Sequence, residues 1–340
     1  MKNLLVLGLT VGLGLSAAAI GPVHFHEIAR YNLGGDGGWD YLNIDSASHR
    51  IFIARSNRVM VVDSESGKII REIPKMSGIH GVALDTVSGF GFASLGESSS
   101  VAVFDLKSYE TVALIAAGTK PDAILYDAFS KRVFAFNGSS NDVTVIDAAA
   151  KKMVGRVELG ASPEFAVSDG AGKIYVNLKD TNSLARFDAL TLKLENKFDL
   201  APCTAPTGLS MDAAAKRLFV GCGNKLLLVV NGDSGKVMQS FPAGSGIDAT
   251  AFDPHRKLAF ASAGEGQLTV IREKSANEFE LVETVPTQKG ARTMALDPQT
   301  GRIFLVTAKF GPRPMYVTAA GPAKPSIISD SFTLLELGSP

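Results

Sequence analysis

"TKPDAILYD" (residues 119–127) runs from a small-residue loop through a short apolar stretch to an aspartate, and "SGIDATAFD" (245–253) repeats that plan in other letters. Lining up the chain on such aspartates gives seven runs: "WDYLNID" to Asp45, "IHGVALD" to Asp85, "PDAILYD" to Asp127, "PEFAVSD" to Asp169, "PTGLSMD" to Asp212, "IDATAFD" to Asp253 and "ARTMALD" to Asp297. Successive aspartates are 40, 42, 42, 43, 41 and 44 residues apart. A fixed period in the forties marks a repeat array or propeller, and it sets the frame for every local reading.

Within each period a polar turn, often ending in a base, precedes a β-rich run: "RIFIA" from Arg50, "RVFAF" from Arg132, "KIYVN" from Lys173, "RLFVG" from Arg217, "RIFLV" from Arg302. A third run ends on a polar residue, as in "VMVVD" to Asp63, "VTVID" to Asp147 and "LLVVN" to Asn231, and a fourth follows a further turn, as in "GKIIREI" from Gly67. Four short strands with turn residues between them make an antiparallel blade, and helical periodicity is absent beyond the N-terminus. The seventh unit lacks its fourth strand, while "HFHEIARYNL" (24–33) precedes the first unit without a place of its own. Pairing His24–Leu33 onto the terminal "FTLLEL" (332–337) would close the ring and cover two exposed edges. The expected fold is all-β: a seven-bladed propeller of four-stranded blades spanning 20–340.

The residues "RVFAFNGSSNDVTVID" (132–147) and "KIYVNLKDTNSLARFD" (173–188) resemble the YVTN-type repeat of the YncE-like β-propellers, in which a base, an aliphatic–aromatic pair and an asparagine precede a "V-x-V-I-D" strand. The resemblance covers about Gly34 to the C-terminus. No repeat spells the four letters, and the asparagine occurs only at Asn137 and Asn177. The resemblance implies a propeller; the architecture also resembles lactonases, amine-dehydrogenase subunits and plain binding platforms, so it does not choose an activity.

Residues 1–19 read as a secretory signal: Lys2, an apolar Leu4–Leu15 stretch, then "SAAAIG" with cleavage expected after Ala19. An exported, soluble, monomeric protein is expected, with no membrane span after cleavage. Lys plus Arg and Asp plus Glu number 34 each, which gives no electrostatic case for a nucleic-acid partner. Cys203 and Cys222 are the only cysteines, a candidate disulfide in an oxidising compartment. Free thiols are the alternative.

Five residues before each repeated aspartate stand Asp40, His80, Asp122, Glu164, Thr207, Asp248 and Arg292. In a propeller these positions fall at one mouth of the central channel, a candidate ligand-binding ring. Two readings compete. One is a wet channel entrance capped by loop-forming polar groups; the other is a divalent-cation site built from Asp40, Asp122, Glu164 and Asp248, with His80 as base and Arg292 as anion clamp. The repeated aspartates themselves are expected to make Asx turns and local ion pairs. The blade-seven insertion, 308–330, is about twenty residues longer than its counterparts and is expected to form an extended lid, with Lys309, Arg313, Tyr316 and Lys324 reaching toward the mouth. No phosphate-binding glycine loop and no "GxSxG" elbow occurs, against nucleotide binding and an α/β-hydrolase mechanism. The expectation is a binding platform for a protein or small-molecule ligand, with a metal-dependent, lactonase-like hydrolase as the alternative.

Overall fold

The computed structural model describes residues 23–312, 314, 317–318, 321–322 and 325–339. The proposed signal segment, and Arg313, Tyr316 and Lys324 of the insertion, lie outside them. Seven four-stranded antiparallel sheets stand in a ring. The innermost strands are Leu42–Asp45, Ile79–Asp85, Pro121–Asp127, Pro163–Ser168, Pro206–Asp212, Ile247–Asp253 and Met294–Leu296. No described residue is helical.

His26–Asn32 is the outermost strand of blade seven and pairs antiparallel with Thr333–Gly338, Arg30 opposite Leu335 and Asn32 opposite Thr333. The backbone amides of Leu33 and Gly34 both donate to Phe332 O, which carries the pairing into the next loop. The ring is therefore closed by its two ends, and the sheet that lacked a strand is completed by the strand that lacked a sheet.

The second strand of every blade carries an aromatic at one equivalent position: Phe52, Phe92, Phe134, Tyr175, Phe219, Phe260 and Phe304, none more than 2% exposed. Each fills space between sheets that a single blade could not bury alone, which is why the period is written in large apolar residues. At about 2–3 kcal/mol of transfer free energy per buried aromatic, this layer is a main part of the core. The fourth strands face solvent instead, as the exposed Ile69, Ile70, Val112 and Leu114 show.

All seven repeated aspartates cap turns. Each accepts a backbone N–H two to three residues on, from Ala47, Ser88, Ser130, Ala171, Ala214, His255 and Gln299 respectively. Their expected local ion pairs need correction. The base that opens the second strand more often meets the acid near the end of the third: Arg50 with Asp63 (2.7 Å) and Lys173 with Asp188 (3.1 Å), which are in register, and Arg302 with Glu336 (2.7 Å), which lies opposite Phe304 and is reached diagonally. Local or neighbouring-blade bases reach Asp253 (Arg256) and Asp212 (Lys257).

Cys203 and Cys222 form a disulfide with Cα atoms 5.4 Å apart. Cys222 sits opposite Pro206 at the mouth end of blade five, and the bond ties down the loop that enters that blade.

Candidate functional site

The inner strands lose register near their starts, at Ile79/Val82, Pro121/Ile124, Pro163/Ala166, Pro206/Leu209 and Ile247/Ala249. Such a bulge turns the strand and re-aims the side chain within it. His80, Asp122, Glu164, Thr207 and Asp248 all occupy these irregular positions, while Asp40 and Arg292 lie just ahead of their strands. Their backbones are clamped by small polar groups of the preceding blade: Ser94 Oγ donates to Asp122 O, Asn177 Nδ2 to Thr207 O (2.7 Å) and Ser262 Oγ to Arg292 O. Thr293 Oγ1 donates to Asp40 O (3.0 Å) across the closure between blades seven and one.

The side chains then divide into two arcs. His80 Nδ1 lies 2.7 Å from Asp40 Oδ2 and 3.6 Å from Asp122 Oδ1. On the other arc, Lys179 Nζ is hydrogen-bonded to Glu164, and Arg292 Nε donates to Asp248 Oδ2 at 2.6 Å. Arg292 also bridges the arcs, donating to Trp39 O (3.1 Å) and lying 3.7 Å from Asp40 Oδ1. Thr207 does not join them. It is buried, and its hydroxyl donates to the backbone oxygens of Ile247 (2.7 Å) and Gly221, locking blade five to blade six.

Burial raises the carboxyl groups of Asp40, Asp122, Glu164 and Asp248 above the ordinary range; His80, Lys179 or Arg292 opposes the rise, and neighbouring acids of the ring add to it in all four. Burial alone would lower His80, but the hydrogen bond with Asp40 and the charges of Asp122 and Asp40 outweigh it, so the imidazole is raised overall. Tyr41 follows Asp40 into the channel. It is buried and pushed well up, first by burial and then by the charges of Asp248, Glu164, Asp40 and Asp122. Its ring meets Phe165 of blade four edge-on at 5.0 Å, so the channel is bridged immediately behind the ring.

Two cavities open at this mouth and share Gly38 and Trp39 as a dividing wall. One, about 500 Å³, is lined by Asp40, His80, Gly96, Glu97 and Lys120. The other, about 460 Å³ and mainly apolar, lies between Trp39, Phe310, Pro325 and Ile327, with Arg292 and Lys289 at its edge. The insertion thus reaches the mouth with the residues at its base. Phe310 and Ile327 form a bridge, and Val317–Thr318 pairs with Gly321–Pro322 as a short hairpin, so the insertion has local structure in place of a plain extended lid. Lys309 is exposed and lines a separate depression with Gln288 and Ile328.

Four contributors escaped the reading of the repeats. Lys179 had a signal: six residues after the first residue of the second strand stand Gly96, Gly138, Lys179, Gly223 and Gly264 in blades two to six, one base among glycines. Trp39 is the only tryptophan in the chain. Tyr41 had no signal beyond its aromatic character. Arg55 follows the "RIFIA" run and carried no signal of its own, yet its fully buried guanidinium donates to the carbonyls of Gly37 (2.5 Å), Gly38 (2.9 Å), Gly35 and Asp36 (3.1 Å each), and stacks 3.7 Å over Phe332. It shapes the glycine-rich 34–38 loop that delivers Trp39 and Asp40.

No protein-family model and no curated protein sequence matches the chain. Among solved structures it is similar to a chain of the Kuenenia stuttgartiensis hydrazine synthase (TM-score 0.70, 17% identity, 79% of this chain and 92% of that one). It is also similar to a chain of the mitotic checkpoint complex (TM-score 0.73, 13% identity, 96% of this chain and all of that one). At such identities the likeness establishes the propeller fold and nothing finer.

Proposed function

We propose that the chain is an exported binding platform of the YVTN-repeat type, monomeric by itself, which engages a partner protein or small ligand with the ring-bearing mouth. The observation that carries this reading is the construction of that mouth. The Tyr41–Phe165 contact narrows the channel behind the ring, and Trp39 separates a polar cavity from an apolar one on a frame of closed sheets. A concave surface with apolar and polar halves, held rigid by its sheets, is suited to recognition. The similar chain from the mitotic checkpoint complex belongs to a protein assembly, which favours a protein partner here.

The hydrolase alternative has less support. Of its four proposed oxygen donors, Glu164 is already bound by Lys179 and Asp248 by Arg292. A photo-crosslinking residue at Glu97 or Lys289, both exposed beside the mouth, tests the platform reading in exporting cells, with Lys107 on the opposite face as the control. Capture of one defined partner from the mouth positions and not from Lys107 is expected. Capture from Lys107 alone, or turnover of a lactone by the purified protein, would overturn the reading.

A further inference from the structure

We propose that Asp40, His80 and Asp122 form a binding site for a single divalent transition-metal ion of the zinc class. The ligand set is one imidazole nitrogen and two carboxylate oxygens, supplied by three adjacent blades, with all three atoms within 4.8 Å of one another. Such a mixed nitrogen–oxygen set suits Zn²⁺ and its neighbours better than Ca²⁺ or Mg²⁺, which prefer oxygen alone. The inference gives the platform's mouth a first ligand, but it needs no partner protein and stands or falls separately.

Three observations support it. First, among the described residues Lys179 answers Glu164 and Arg292 answers Asp248 at short range, whereas Asp40 and Asp122 share one imidazole and only the more distant Arg292, 3.7 Å from Asp40. A dication beside neutral His80 would balance Asp40 and Asp122. Lys120 lines the same cavity and its charge acts on Asp122 and His80, but it makes no ion pair within 4.0 Å with a described carboxylate. Second, the Asp122 carboxylate accepts no hydrogen bond from any described residue; its nearest polar partner is His80 Nδ1 at 3.6 Å. The Asp122 side chain is 20% exposed, so the lone pairs that no protein donor fills are open to water or to a cation. Third, Asp40 and His80 of the triad line the 500 Å³ cavity, which leaves room beside them for water or a ligand atom at a fourth position. Gly96 keeps that side clear: a β-carbon there would come within 2.8 Å of His80 Nε2.

The donor spacing needs only a small adjustment. With bonds of about 2.1 Å, a tetrahedral edge is roughly 3.4 Å. The 3.6 Å separation of His80 from Asp122 already fits, and the 2.7 Å separation from Asp40 would open by a side-chain rotation as the hydrogen bond is replaced by the metal.

The test is titration of chelator-treated, full-length mature protein with Zn²⁺ by calorimetry, and with Co²⁺ followed by visible absorption and by quenching of Trp39 fluorescence. One equivalent per chain and a ligand-field band from Co²⁺ are expected. His80→Gln and Asp122→Asn, each checked for an unchanged circular-dichroism spectrum and melting temperature within a few degrees, should weaken binding at least about 100-fold, since each removes a direct ligand where loss of an outer partner already costs 10–100-fold. Asp63→Asn and Asp188→Asn, at third-strand ends away from the mouth, should leave it within a few-fold. Absence of stoichiometric binding in the unsubstituted protein, or undiminished binding in a folded His80→Gln/Asp122→Asn double variant, would overturn the proposal. A metal-free mouth that still crosslinks a partner would leave the platform reading intact.

Discussion

Replacing Glu273 by glutamine should stabilise the protein progressively as pH rises from about 4.5 to about 7. Glu273 is 7% exposed and lies in the third strand of blade six, against the 2%-exposed Asp212 of blade five. Asp212 is held ionised by Lys257 Nζ at 2.7 Å and by the backbone amides of Ala214 and Ala215. Glu273 Oε2 receives no hydrogen bond, so its carboxyl group is better off keeping a proton that it can share with Asp212. Burial, followed by the hydrogen bond and charge of Asp212, raises Glu273 from its ordinary 4.5 to about 7 against the opposing charges of Lys257 and Arg217. Between those two values the folded chain retains a proton that the unfolded chain has released, so stability falls as pH rises through the window. A full shift of that size corresponds to a ceiling of about 3 kcal/mol. Because Asp212 is depressed and the two groups share one proton, about 1–2 kcal/mol is the expected loss assignable to Glu273. In Glu273→Gln the amide donates to Asp212 at every pH. Urea unfolding, confirmed reversible, should show the variant close to the unsubstituted protein at pH 5 and about 1–2 kcal/mol more stable at pH 8. Comparing the two proteins cancels the titration of all other groups. A difference that stays flat from pH 5 to 8, or a variant that is weaker at pH 8, would refute the shared-proton account.

Three further outcomes are expected. Arg55→Met should cost about 3–5 kcal/mol, because several loop carbonyls lose their donor inside the protein, and it should shift Trp39 emission to the red as the 34–38 loop loosens. An unchanged emission maximum would show that the loop holds itself. Replacing both Cys203 and Cys222 by serine should destabilise by about 3 kcal/mol on the chain-entropy account of a loop closed across 19 residues, read as a shift in urea midpoint with little change in slope. N-terminal sequencing of protein recovered outside the cytoplasm should begin at Ile20; an intact Met1 on that material would remove the cleavage reading, and absence of the protein from that fraction would remove the export reading.

The fold was legible because a propeller writes its constraints seven times. The aspartate that caps a turn, the aromatic wedged between sheets and the four-strand rhythm recur in every blade, so chance variation in one repeat is outvoted by the other six. Closure was legible for a related reason: a missing strand at one end and a surplus strand at the other have a single economical solution. The ring was only half legible. Counting places Asp40, His80, Asp122, Glu164, Asp248 and Arg292 at one mouth, but partners are chosen by side-chain reach between blades, which no column of letters expresses. Thr207 occupies the same column and turns away, since a short hydroxyl can satisfy itself on the carbonyl of Ile247 where a longer acid would protrude. Lys179 was hidden for the converse reason: it stands in a loop column of glycines and meets Glu164 only because both loops end at the same rim. The pairing of Arg50 with Asp63, read too locally, shows the same effect within one sheet, where register overrides nearness in sequence.

The asymmetry of the ring follows from closure as much as from composition. Arg292 opens the last blade and Asp40 opens the first, so they are neighbours only because His26–Asn32 is zipped onto Thr333–Gly338. Through that contact the cation that neutralises Asp248 also fixes Trp39 O and stands beside Asp40, which leaves His80 facing Asp122 with no second base among the described residues within ion-pair distance of either. If charge alone governed the mouth, four acids and two bases would be spread evenly around it. The rigid blades prevent this: each side chain can reach its own loop and the adjacent rim, and blades one to three supply two acids and an imidazole where blades four to seven supply two acids and two bases. The residual negative charge is therefore localised by geometry on one arc, beside the polar cavity and separated by Trp39 from the apolar one. A ligand carrying positive charge at one end and apolar surface at the other would meet both halves at once, and a ligand of the opposite polarity would be held off by the arc it must cross.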